Sequence, residues 1–164
     1  MPFVGFGTYR LGKEQAEAAV LQALRHGYKA IDTAFIYGGE TTEQLVGQAI
    51  QISLKLGVIQ SRSEIFVTTK HWRKYHGYEP TLQCLQLSLK RLQLDYLDLW
   101  LMHWPGPAWT TMRRKNDVVE DDPWHYAATE SDAMATQRAE TWRAMEDAVR
   151  QGLCRAIGVS NFSV

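Results

Sequence analysis

The chain has 164 residues, of which 45% are hydrophobic, and this is enough to bury the core of one domain. Lysine plus arginine number 18, and aspartate plus glutamate also number 18, so the overall charge favours neither nucleic acid nor an anionic membrane as a partner. No apolar run approaches the roughly 18 residues of a membrane span and no signal peptide is evident, so we expect a cytoplasmic protein.

Apolar residues switch between strand-like and helix-like spacing along the chain. After a short run at 5–9, helices are predicted at 13–26, 42–57, 80–92 and 140–151, and strands at 29–34, 65–69, 97–102 and 156–159. Gly27, Gly57 and Gly152 mark three of the helix ends. Strands that alternate with helices across short connections predict a parallel sheet.

One segment interrupts this alternation. Residues 106–135 are rich in charge and turn residues, and a loop of this length in a compact domain is commonly a lid over a site or a disordered segment. Its basic run at 113–115 is followed by an acidic run at 120–122. We therefore interpret the segment as a solvated loop rather than a nucleic-acid-binding patch.

Residues with catalytic chemistry recur where the predicted strands end. Asp32 lies at the end of one strand, and Tyr37 follows five residues later. Lys70 and His103 directly follow the next two strands. Because parallel strands end at the same edge of a sheet, these four side chains can converge on one pocket.

The four residue types together suit proton transfer. A tyrosine has a reference pKa near 10, and we expect the Lys70 ammonium, held in place by Asp32, to lower that of Tyr37 and make it an activated general acid. His103 can orient a substrate carbonyl or share the proton. Such a site protonates a carbonyl oxygen while hydride reaches the carbon, and hydride requires a nicotinamide because no side chain carries it.

The order of motifs resembles the aldo-keto reductase family. Residues 32–40 read DTAFIYGGE and are similar to the family signature DTAxxYxxE. Later motifs match in the same order at 69–72 (TKHW), 101–105 (LMHWP) and 157–162 (IGVSNF), and the run at 5–9 (GFGTY) resembles the opening strand and loop. The matches extend over nearly the whole chain.

The resemblance implies a role for each of eleven positions. Asp32, Tyr37, Lys70 and His103 would form the catalytic tetrad, with Tyr37 as the proton donor. Ser160 and Asn161 would hold the nicotinamide carboxamide, while Gly7, Thr8 and Asp32 would line the cofactor. Tyr9, Trp72 and Trp104 would be aromatic walls of the pocket for a small carbonyl substrate. The family usually prefers NADPH, with NADH as the alternative.

The resemblance also implies a fold, a (β/α)8 barrel of the TIM type, which takes about 250 residues. This sequence supplies the equivalents of strands one to five with four connecting helices, so we expect a single partial barrel domain over residues 1–164. Strands six to eight would carry the residues that stack the nicotinamide ring and bind the adenosine and its 2′-phosphate. A truncated product or partial sequence is therefore expected, with open sheet edges.

Two other interpretations stay open. A lysine at a barrel strand end can form a Schiff base, so Lys70 is also compatible with an aldolase. A truncated remnant could instead bind a partner without catalysis and would have negligible reductase activity. A metal site is not expected, because His71 and His103 lie on different strands and Cys84 and Cys154 lack metal-ligand spacing.

Overall fold

The computed structural model of the protein describes residues 1–12, 14–106 and 132–162. In this part of the chain the strands are Phe6–Gly7 (β1), Ala30–Asp32 (β2), Phe66–His71 (β3), Leu99–Met102 (β4) and Ile157–Val159 (β5). They form one sheet in the order β1-β2-β3-β4-β5, and every neighbouring pair is parallel. The predicted parallel sheet is confirmed.

A helix lies in the connection between each strand and the next. These helices are Ala16–Arg25 (α1), Thr42–Lys55 (α2), Tyr78–Leu92 (α3) and Asp132–Arg150 (α4). In α1 the buried residues Ala16, Val20, Ala23 and Leu24 recur at three- and four-residue steps, as the sequence predicts. Gly27 follows the helix with a φ of +85°, a conformation that glycine adopts without steric cost.

The main hydrophobic core lies between the helices and the sheet. Along β4 the side chains of Trp100 and Met102 are buried, while Leu99 and Leu101 between them are only partly buried. Trp100 and Met102 pack in the same cluster as Leu85 of α3 and Met145 of α4. The alternation along β4 therefore separates a helix-covered face of the sheet from a less covered one.

Several predicted boundaries differ from the structure, and two of them affect the region of the predicted site. The strand predicted at 65–69 extends to His71, because its pairing with β4 continues through Lys70 and His71. Helix α4 begins at Asp132 rather than at residue 140, so the last four residues of the predicted loop at 106–135 are helical. Residues 107–131 of that loop lie outside the described residues, and a lid there stays a prediction.

None of the helices in the described ranges is long and apolar enough to cross a membrane. The outer strands of the described sheet are β1 and β5. Val159 at the end of β5 is 48% exposed, so this edge presents apolar surface. An incomplete barrel, with five parallel strands and their helices, accounts for this architecture.

Candidate active site

Lys70 is the centre of the hydrogen-bond network at the carboxyl ends of the strands. It lies within β3, one residue before the strand ends at His71. Its Nζ is 2.6 Å from Oδ1 of Asp32 and 2.9 Å from the backbone oxygen of Thr33. It also donates to the hydroxyl oxygen of Tyr37 at 3.4 Å. An ammonium has three N–H donors, so these three partners use all of them.

The pKa of Tyr37 departs from the sequence-based expectation. Burial of the hydroxyl, followed by the nearby carboxylate of Asp32 and then by Tyr9, raises the pKa of Tyr37 to about 12. The expected lowering is wrong, because burial of the hydroxyl and the Asp32 carboxylate both disfavour the phenolate, while the Lys70 ammonium lies 2.6 Å from Asp32 but 3.4 Å from the tyrosine oxygen. Tyr37 is therefore fully protonated at neutral pH.

His103 is neutral beside this network. Burial, reinforced by the positive charges of Lys70 and Arg73, lowers the pKa of His103 to about 4. Its ring centroid lies 5.9 Å from that of Tyr37 and 6.0 Å from that of Trp72. Within the described residues its buried Nδ1 has no hydrogen-bond partner. A neutral imidazole, rather than an imidazolium that could itself act as a proton donor, therefore lies beside Tyr37.

A cavity of about 630 Å³ opens over these side chains. Its walls contain eight of the residues predicted for the site: Tyr9, Tyr37, Lys70, Trp72, His103, Trp104, Ser160 and Asn161. The rings of Tyr9 and Tyr37 are 5.1 Å apart, so the predicted aromatic wall adjoins the predicted proton donor. The walls are mainly apolar with a few polar groups, as is typical of sites for small organic molecules.

Ser160 and Asn161 follow β5 and complete one side of the cavity. The backbone N–H of Ser160 donates to the oxygen of Met102, which continues the pairing with β4. Asn161 adopts a left-handed φ of +60°, and its amide nitrogen donates to the backbone oxygen of His103 at 2.8 Å and to Oγ of Ser160 at 3.0 Å. Both N–H groups of Asn161 are used in this way, so its Oδ1 remains as an acceptor and the Ser160 hydroxyl as a donor, a pair that is complementary to a carboxamide such as that of a nicotinamide.

Gly7, Thr8 and Asp32, which were expected to line a cofactor, are not among the described residues that line this cavity. Both the backbone N–H and the hydroxyl of Thr8 donate to the backbone oxygen of Asp32, at 2.9 and 3.0 Å. Gly7 pairs with Asp32 across β1 and β2. These contacts fix the backbone of Asp32, and a role of the three residues in cofactor binding stays a prediction.

Sequence reasoning missed three residues of the cavity wall: Arg10, Ile36 and Gly38. Ile36 and Gly38 flank Tyr37 in the quoted signature, which was a usable signal. Arg10 follows the run at 5–9 and has a left-handed φ of +61°, which a sequence does not reveal. No cluster of potential metal ligands was found among the described residues.

Comparison with known proteins identifies the family of this chain. The profile of the aldo/keto reductase family matches residues 4–164. The chain belongs to the aldo-keto reductase family. It is 41% identical over 163 residues to aldo-keto reductase family 1 member A1 of Xenopus tropicalis, covering 99% of this chain and 46% of that protein.

Two further proteins are similar over a comparable part of their length. The glyoxal reductase of Bacillus subtilis is 39% identical, covering 100% of this chain and 47% of that one. The crystal structure of a Bombyx mori aldo-keto reductase in complex with NADP superimposes with a TM-score of 0.75 at 36% identity, covering 99% of this chain and 47% of that one. The chain thus spans about half the length of the relatives that it matches, as the partial barrel predicted.

Proposed function

We propose that this site reduces aldehydes or ketones to alcohols with a nicotinamide cofactor, and that Tyr37 donates the proton. The observation that carries the proposal is the Asp32–Lys70–Tyr37 network, which ends at a cavity with aromatic walls. The tyrosine holds its proton at neutral pH, so a general acid is available. A bound reduced nicotinamide, NADPH or else NADH, would supply hydride to the carbonyl carbon.

Lys70 assists proton donation as charge develops on the tyrosine. Its N–H donates to the Tyr37 oxygen, so the hydroxyl proton is left for another acceptor. When that proton moves to the carbonyl oxygen, the phenolate that forms lies 3.4 Å from the ammonium. The attraction is therefore stronger after proton transfer than before it, which is the condition for lowering the barrier.

Three further groups complete the proposed assignment. Neutral His103 lines the cavity beside Tyr37, and its ring N–H can donate to the carbonyl oxygen and orient it. Ser160 and Asn161 would hold the carboxamide of the nicotinamide. Asp32 keeps Lys70 in place through the 2.6 Å ion pair.

The Schiff-base alternative is not favoured by this geometry. A Schiff base requires an amine lone pair on Lys70, whereas the ammonium of Lys70 donates to Asp32, Thr33 and Tyr37 at once. Borohydride trapping of a carbonyl compound on Lys70 would support an aldolase instead.

The test is consumption of NADPH with an aromatic aldehyde by the purified protein, after calorimetry has measured NADPH binding. We expect the Tyr37→Phe variant to bind NADPH normally and to lose about 10³-fold in kcat, within the range for general acid catalysis. Tyr78→Phe is the matched control, since Tyr78 donates to Asp147 on the surface of α4 and should leave kcat unchanged. Normal turnover by Tyr37→Phe would refute the proton-donor role. Absence of both NADPH binding and turnover in the wild type would favour a non-catalytic remnant.

A further inference from the structure

The turn that follows Tyr37 has an unusual backbone. Gly38, Gly39 and Glu40 have consecutive φ values of +59°, +66° and +73°. Glycine adopts this region freely, but a glutamate does so rarely, and such outliers persist where the surrounding contacts enforce them. The N–H of Glu40 donates to the backbone oxygen of Tyr37 at 3.1 Å, so the strained residue closes the turn that carries the proposed proton donor.

The carboxylate of Glu40 connects this turn to two other segments. Oε1 accepts from Lys74 at 2.8 Å, and Oε2 accepts from Arg91 at 2.9 Å. Lys74 lies in a 3₁₀ turn, Arg73–Tyr75, shortly after β3, and Arg91 lies in the last turn of α3. One side chain therefore links the Tyr37 turn both to the 3₁₀ turn that follows β3 and to the end of α3.

The two cations also cover a residue that is linked to Lys70. The guanidinium of Arg91 lies 4.1 Å and the ammonium of Lys74 lies 5.7 Å from the ring centroid of Phe35, which is fully buried. The backbone N–H of Phe35 donates to the backbone oxygen of Lys70 at 3.2 Å. The contacts of Glu40 thus support the loop between Asp32 and Tyr37 from its outer side.

Arg91 is in turn held by a buried acid. Glu43 of α2 is fully buried, its Oε1 accepts from Thr69 of β3 at 2.7 Å, and its Oε2 lies 3.6 Å from Arg91. Arg91 therefore cannot be removed without leaving a buried carboxylate without its cation. Lys74 is 42% exposed and, within the described ranges, is not paired with a buried carboxylate, so it is the better residue for substitution.

We propose that Glu40 is a positioning residue for Tyr37. By bridging Lys74 and Arg91, it holds the turn so that the tyrosine hydroxyl stays within hydrogen-bond reach of Lys70. Glu40 belongs to the sequence signature, but it is neither one of the proposed catalytic residues nor part of the cavity wall. The expected effect of Glu40 on turnover rests on the proposed carbonyl reduction, whereas its expected effect on the position of Tyr37 does not.

The first test is Glu40→Gln, which removes the charge and keeps the side-chain size. We expect kcat for NADPH-dependent reduction to fall about tenfold with KM for the carbonyl within about twofold, since small misplacements of a reacting group lower the rate of the chemical step. The matched control is Glu64→Gln, which removes a comparably exposed ion pair with Lys29 at the opposite end of β3. An unchanged kcat in Glu40→Gln, or an equal loss in Glu64→Gln, would overturn the proposal.

A second pair of variants tests the bridge from its other side. Lys74→Gln should reduce kcat in the same direction as Glu40→Gln, and Lys74→Arg should restore it because the cation is retained. If Lys74→Arg and Lys74→Gln lose activity equally, the charge bridge is not what positions the tyrosine.

A readout without turnover separates this proposal from the proposed function. Nuclear Overhauser effects between the ring protons of Tyr37 and those of Tyr9 report the position of Tyr37, because the two rings are 5.1 Å apart. We expect these effects to weaken in Glu40→Gln and to persist in Glu64→Gln, even if the wild type reduces no carbonyl. Effects of wild-type strength in Glu40→Gln would overturn the positioning role.

Discussion

Two aspartates form ion pairs with basic side chains, one at the amino ends and the other at the carboxyl ends of the strands, and their surroundings differ. Asp98 precedes β4 at the amino ends of the strands and is 3% exposed. Its Oδ2 accepts from Arg62 at 2.6 Å and from the backbone of Val67 at 2.9 Å, and its Oδ1 accepts from Arg155 at 3.1 Å. In this Asp98 cluster, both carboxylate oxygens are bound to groups that hold β3, β4 and β5 together.

In the Asp32 cluster, formed by Asp32, Lys70 and Tyr37, the ion pair leads to a titratable group. The Asp32 side chain is 44% exposed, and Lys70 donates its third hydrogen bond to the hydroxyl oxygen of Tyr37, which lines the cavity. At the amino ends of the strands, the arginines bind both oxygens of Asp98 in a fixed set of contacts. At the carboxyl ends, the compact ammonium of Lys70 contacts Tyr37, whose charge changes when it loses its proton. We infer that the first cluster serves stability and the second serves chemistry.

The largest effect on stability is expected when Asp98 is replaced. Asp98→Ala leaves two arginines and a buried backbone N–H without their shared acceptor, which should cost about 3–5 kcal/mol in the free energy of unfolding. Urea unfolding measures this loss, and Asp95→Ala, an exposed position in the same segment, should change stability by less than about 0.5 kcal/mol. Equal effects of the two variants would remove the distinction between the clusters.

Acid should lower the free energy of unfolding through the largely buried histidines near the carboxyl ends of β3 and β4. Burial lowers the pKa of His76 to about 4 and that of His71 to about 3, and His103 is similarly affected. The unfolded chain therefore binds more protons than the folded one below about pH 6.5, and stability is lost as the pH falls from there towards 4, by roughly 3 kcal/mol for His76 alone.

Urea unfolding at pH 7 and pH 4.5 tests this dependence. His76→Gln should reduce this dependence and leave the contributions of His71 and His103, while His26→Gln, at an exposed position after α1, should leave it unchanged. A dependence that survives in His76→Gln at full strength would show that other groups dominate.

The smallest effects on stability are expected at Asp32. Asp32→Asn should cost less than about 1 kcal/mol, because the side chain is half-exposed and such pairs contribute little. Its kcat for carbonyl reduction should still fall about tenfold or more, since Lys70 loses the partner that orients it. Stability and kcat measured on the same preparation decide this. A large loss of stability with intact kcat would reverse the roles assigned to the two clusters.

Much of this arrangement could be predicted from local sequence patterns. The spacing of apolar residues predicted the four α-helices of the described residues and the strands β2 to β5, and the positions of Asp32, Lys70 and His103 at strand ends predicted their convergence. The pKa of Tyr37 could not be predicted, because it depends on how far the hydroxyl is buried and on whether Lys70 lies nearer to it than to Asp32. The bridge from Glu40 to Arg91 joins residues that are 51 positions apart, which no local pattern contains.

The protonation state of Tyr37 tests the central claim most directly. In protein labelled with ¹³C at the tyrosine Cζ, the Tyr37 signal can be assigned by its disappearance in Tyr37→Phe. We predict that it keeps the chemical shift of a protonated phenol up to about pH 10, where an unperturbed tyrosine is half ionised. A change to the phenolate shift between pH 7 and pH 9 would contradict the account, because the proposed proton donor would then have lost its proton before any substrate arrived.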